Sequence, residues 1–171
     1  MLIQKLNENW QMCINNTEEF MPAAVPGSVY QDLLDNNKME DPYYRDNELK
    51  ALKIMENDFT YVTCFDVPED IREREEVLLH FDGIDTIGDI YLNGTLLGHV
   101  KNMHRIWEYS VKNLLKPEGN ELKVVLHSPT RFIREAYEER PLEGSSDAMR
   151  GFPYLRKAHC MFGWDWGPRL P

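Results

Sequence analysis

The sequence predicts an all-β fold with one short helix, a jelly-roll β-sandwich, and three observations carry that prediction. Six or seven short runs alternate large apolar residues with small or polar ones, the pattern of a strand that buries one face. Clusters of Gly, Pro, Asn and Asp separate these runs at the spacing of a sandwich or jelly roll. The pair Asn93-Gly94, between two of the runs, marks a tight hairpin. With 171 residues, 42% of them hydrophobic and 28% charged, the chain has the length of one domain and enough apolar side chains for a core without metals or disulfides.

In chain order, Leu6, Trp10, Met12 and Ile14 give a period-two stretch and predict an opening strand within 3–14. Pro22, Pro26 and Gly27 break regular structure before Ser28, whose hydroxyl can cap a helix over 29–36 with Gln31 as its capping-box partner. Val29, Leu33 and Tyr30 supply the buried stripe of that helix, and Asn36-Asn37 stops it. The run 59–67 is the clearest strand, followed by 77–81 before Asp82-Gly83. Ile90-Tyr91-Leu92 and Thr95-Leu96-Leu97 flank Asn93-Gly94, where a type I′ turn needs positive φ at both central residues. Strands over 107–111 and 122–126 surround the turn residues Pro117-Glu118-Gly119-Asn120. From 130 to 150 the chain turns charged and predicts a helix followed by an exposed loop containing Gly144-Ser145-Ser146.

Charge and composition narrow the function. A net charge of −10 repels phosphate backbones and anionic membranes, so neither nucleic acid nor membrane is an expected partner and a neutral ligand fits better. Cys13, Cys64 and Cys160 are odd in number and contain no C-x-x-C pair, which predicts reduced thiols rather than disulfides or a zinc site. The first residues lack the apolar stretch of a signal peptide, and the expected location is cytoplasmic. The five His, at 80, 99, 104, 127 and 159, show no i, i+4 or paired spacing, so no metal site is expected; no Gly-rich phosphate loop appears, and no cofactor is expected.

The stretch from Phe152 to Arg169 is dense in aromatics, Gly and Pro without strand or helix period, so its side chains are expected on loops. Within it Trp164 and Trp166 flank Asp165. That arrangement suits a sugar site, since aromatic faces cover the C–H face of a pyranose while a carboxylate accepts hydrogen bonds from paired hydroxyls. The competing reading makes both Trp core anchors and Asp165 a loop cap. Glu118, Glu138 and Glu139 stand on exposed-looking segments, and nothing positions a pair of carboxyls as a retaining glycosidase requires. Arg45 and Asp46 are expected as a buried ion pair, with a place in the framework beneath the pocket as the alternative.

Five motifs in register carry a resemblance over essentially the whole chain. They are Val25-Pro26-Gly27-Ser28-Val29-Tyr30; Asp41-Pro42-Tyr43-Tyr44-Arg45-Asp46-Asn47-Glu48; Phe81-Asp82-Gly83-Ile84-Asp85-Thr86 with Tyr91-Leu92-Asn93-Gly94; Asn102-Met103-His104-Arg105 before Trp107; and Arg156-Lys157-Ala158 ahead of Phe162-Gly163-Trp164-Asp165-Trp166-Gly167-Pro168-Arg169. Together they resemble the N-terminal domain of β-mannosidases in glycoside hydrolase family two. The resemblance implies a galactose-binding-like jelly roll, followed in the family by an immunoglobulin-like domain and a (β/α)8 barrel carrying two catalytic glutamates. It further implies retaining hydrolysis of terminal β-linked mannose in an oligosaccharide or glycoside through a covalent glycosyl-enzyme.

On that reading residues 1–171 are the accessory sandwich, no catalytic residue lies in this chain, and the downstream barrel of the same polypeptide is its partner. Asp165 matches the family position that binds the terminal mannose, with Trp164 and Trp166 beside it. The chain is expected to end before the strand that closes the sandwich, leaving an edge open to strand addition, with a homodimer among the outcomes. Two departures are visible: Leu52-Lys53-Ile54-Met55 stands where many relatives carry a Trp, and His159 stands where Gln is common. The rival readings are a stand-alone carbohydrate-binding module, or the same domain of a β-galactosidase, β-glucuronidase or exo-glucosaminidase.

Overall fold

A computed structural model describes residues 1–143 and 149–171, so the expected Gly144-Ser145-Ser146 loop lies outside the described residues. Among the described residues, eight strands form two antiparallel sheets. The large sheet has the order β2 (Met21–Pro22), β1 (Gln11–Ile14), β3 (Phe59–Phe65), β8 (Asn120–Leu126), β5 (Ile87–Leu92), β6 (Thr95–Lys101). The small one pairs β4 (Leu78–Phe81) with β7 (Trp107–Ser110). Alternation fixes which face each residue serves. Gly88, Ile90 and Leu92 on β5 pair with Leu126, Val124 and Leu122 on β8, and this face packs toward β4 and β7. Leu79 is buried in the same core, and Phe81, Trp107 and Tyr109 lie against it. A Cβ on Gly98 would lie 2.8 Å from the Tyr109 ring, so β6 runs directly beneath that side chain.

The strands fall on the predicted runs 59–67, 77–81, 90–92, 95–97, 107–111 and 122–126, whereas β2 and the first three residues of β5 were not predicted. The opening strand is shorter than predicted: pairing covers only Gln11–Ile14, while Leu6 packs on the core without joining the sheet and accepts the Trp10 indole hydrogen bond at 2.7 Å. Helix α1 (Val29–Asp35) starts where predicted, with Ser28 Oγ accepting from Gln31 N at 3.2 Å. Its Gln31 side chain reaches forward to Asp35 (2.7 Å) instead of back to the cap. Helix α2 (Asn47–Ile54) was not predicted, and α3 (Glu69–Arg72) is a single turn. In α2 the buried positions are Asn47 and Ala51, a face too small and polar to register as an apolar stripe. Helix α4 (Pro129–Glu139) begins with Ser128 Oγ accepting from Arg131 N at 3.1 Å and Pro129 in its first turn.

The hairpin turn is as the sequence predicts, with Asn93 at φ 51° and Gly94 at φ 80°. Asn93 also ties this turn to the next: its Nδ2 donates to Leu114 O (2.7 Å) and Asn120 Oδ1 (3.0 Å), and its Oδ1 accepts from Glu121 N (2.9 Å). A Cβ at Gly94 would meet nothing within 4 Å, so Gly94→Ala isolates the conformational cost of positive φ. We expect it to lower unfolding free energy by about 1–2 kcal/mol, read from the urea midpoint at unchanged slope.

Candidate functional site at the C-terminal loop

The segment after α4 packs on α4 and on Ile87 at the start of β5, where it is held by a second, smaller core. Phe162 is 0% exposed and packs with Ile87, Ile133 and Leu155, with Phe152 and Met149 against them. Gly151 makes the entry possible: its φ is 83°, and a Cβ there would lie 2.4 Å from Ile133 O of α4. Two 3₁₀ turns, Phe152–Tyr154 and His159–Phe162, carry the chain onward, and Leu170 N closes the loop on Met161 O at 2.8 Å. His159 is exposed and lies edge-on to Phe152 at 4.9 Å.

The motifs quoted from the sequence meet around this loop. Lys157, 5% exposed, pairs with Asp85 Oδ2 at 2.5 Å, and Asp85 also accepts from the Thr86 hydroxyl. Arg156 forms a parallel bridge with Asn102 and accepts from Met103 N at 3.0 Å. Glu48 of α2 accepts from both the backbone N (3.1 Å) and Nε (2.5 Å) of Arg169. Tyr30 of α1 donates to Pro171 O at 3.1 Å, and burial first, then the Asp85 and Glu48 carboxylates, pushes its hydroxyl pKa up. Arg45 and Asp46 do not form the expected buried pair; both are exposed, and the Arg45 guanidinium lies over the Tyr44 ring at 5.0 Å. A half-buried pair forms instead between Glu48 and Arg169, 121 residues apart in the chain and therefore invisible to local pattern.

Between these anchors the loop tip projects. Gly167 N bonds to Trp164 O at 2.7 Å, Asp165 sits at φ 48°, and the turn lifts three side chains off the surface. Trp164 is 67% exposed, Trp166 is fully exposed, and Asp165 is exposed with no side-chain hydrogen bond among the described residues. Neither Trp is a core anchor in this chain, since Phe162 performs that task. Two indoles and one carboxylate on a short, braced turn can stack on an apolar ring face and accept hydrogen bonds from hydroxyls. Glu118, Glu138 and Glu139 are exposed on other segments.

Residues 10–171 match the model of the glycosyl hydrolase 2 galactose-binding domain-like family. The chain belongs to this family. It is 33% identical over 176 residues to a β-mannosidase of Mus musculus, covering 97% of this chain and 20% of the relative. It is 35% identical to β-mannosidase B of Aspergillus terreus, over 91% of this chain and 19% of that one. The chain thus spans about a fifth of the length of these relatives. The crystal structure of a β-D-mannosidase from Dictyoglomus thermophilum superposes with a TM-score of 0.92 at 37% identity, over 99% of this chain and 21% of that one.

A β-glucuronidase from Ruminococcus gnavus, at TM-score 0.55 and 19% identity over 73% of this chain, shares the fold alone. The matched span takes in every anchor of the loop from Tyr30 to Pro171.

Proposed function

We propose that this chain is the N-terminal accessory domain of a retaining β-mannosidase, an enzyme that removes terminal non-reducing β-D-mannose from oligosaccharides or glycosides. The observation that carries this reading is the braced Trp164-Asp165-Trp166 turn, whose side chains are presented outward while the family motifs hold its base. In this reading Asp165 accepts hydrogen bonds from hydroxyls of the terminal sugar, and the two indoles line the pocket around it. The sugar is completed from the other side by a downstream barrel of the same polypeptide, which supplies the nucleophile and the acid/base as two carboxyls about 5–5.5 Å apart. An immunoglobulin-like domain stands between the two.

The mannosidases among the relatives and the high similarity to the Dictyoglomus enzyme favour mannose over glucuronate, galactose or glucosamine. The test is turnover of aryl β-glycosides by the polypeptide that joins this domain to such a barrel, beside the 171-residue chain alone. The joined protein is expected to prefer the β-mannoside and to yield β-mannose first. The separate chain is expected to show no turnover, because the nucleophile and acid/base are both outside it. Preference for another β-glycoside would replace the sugar, and turnover by the separate chain would overturn the division of labour.

A further inference from the structure

We propose that Asp89, His99 and His127 form a binding site for a divalent first-row transition metal such as zinc, on the outer face of the large sheet. The three side chains come from three neighbouring segments of that sheet. Asp89 on β5 is the direct cross-strand partner of His99 on β6. On the other side Asp89 faces Val125 of β8, and His127 lies two residues further along, on the same face. Asp89 Oδ1 is 2.8 Å from His99 Nδ1, Asp89 Oδ2 is 2.9 Å from His127 Nε2, and one donor atom from each residue falls within 4.8 Å of the others.

Two imidazoles and one carboxylate are ligands that zinc, copper and nickel accept, and three protein ligands leave a position for water. A metal would replace the protons that now join the rings to Asp89, with only small side-chain movement. The ring nitrogen that His127 turns away from the site faces a carboxylate, as ligating imidazoles commonly do: its Nδ1 is 3.5 Å from Asp58 Oδ2. Asp58 is itself fixed by Ser128 N at 2.9 Å and Arg131 at 2.5 Å, so the partner of the ligand is held in place by the start of α4. The sheet partly covers Asp89 and His127 while His99 stays exposed, which leaves an approach from solvent. Spacing along the chain gives no hint of the group, because the register of β5 with β6 and β8 assembles it.

The test is calorimetric titration of zinc into chelator-treated protein in which Cys64 and Cys160, both exposed thiols, are replaced by Ser. One zinc per chain is expected. His99→Ala and His127→Ala should each weaken it by more than about a hundred-fold, and Asp58→Asn by about ten-fold through loss of the outer partner. Circular dichroism establishes that each variant is folded. Cobalt(II) bound to the protein with His and Asp intact gives a readout that needs no folded variant: nitrogen couplings from two imidazoles and no sulfur charge-transfer band are expected. Absence of stoichiometric zinc binding, or zinc binding unchanged in a folded His99→Ala/His127→Ala protein, overturns the site. So does a cobalt signal lacking imidazole nitrogen.

Discussion

Replacing Phe162 by alanine is expected to cost the fold about 3–5 kcal/mol, the range for removing a buried aromatic side chain without full collapse of the space it leaves. Phe162 is fully buried, but it belongs to the small cluster with Ile87, Ile133 and Leu155 and not to the main core between the sheets. Its loss should therefore release the C-terminal segment before the sheets. The backbone contact Met149 N to Phe162 O and the closure of Leu170 N on Met161 O go with it. Denaturant unfolding should show the loss of stability, and limited proteolysis of the folded variant should cut first within 150–168. Gly151→Ala should act in the same direction, through positive φ and a Cβ that meets the Ile133 carbonyl. A Phe162→Ala protein within about 1 kcal/mol of the parent would show that the loop is laid on the surface without being integrated into the fold.

What could be read from the sequence follows from how local each signal is. The strand over 59–65 was legible because a period of two is written in consecutive residues, and β5 and β8 were legible over 90–92 and 122–126 but not at their first residues. Asn93-Gly94 was legible because its backbone angles are demanded by those two residue types. Helix α2 was not, since what it buries is Asn47 and Ala51, and β2 is only two residues long. The C-terminal stretch could be read as a loop, but its composition left both Trp open to burial or display. What decides between these is Phe162, which fills the small core and leaves the indoles outside. The bracing of that loop was likewise out of reach, because Glu48 with Arg169 and Asp85 with Lys157 are separated by 121 and 72 residues. The same limit applies to Asp89, His99 and His127: strand register brings them together, and the sequence shows only scattered histidines.

In the polypeptide that joins this domain to a catalytic barrel, Asp165→Ala is expected to lower kcat/KM on aryl β-mannosides by about ten- to a hundred-fold, the equivalent of one charge-assisted hydrogen bond. The effect should fall on kcat as well as KM. As positive charge develops on the sugar ring, the hydroxyls become better donors, and a carboxylate that accepts from them is bound more tightly in the transition state than in the ground state. Asp165 is suited to being tested this way because it is exposed and makes no side-chain hydrogen bond among the described residues, so its removal leaves no buried partner unsatisfied. Melting temperature should consequently stay within a few degrees of the parent, in contrast to Phe162→Ala. Asp165→Asn keeps one acceptor oxygen but loses the charge, and its kcat/KM should fall between the two. A reversed result, with normal kinetics and a lowered melting temperature, would make Asp165 a support of its turn at φ 48° and move sugar recognition elsewhere.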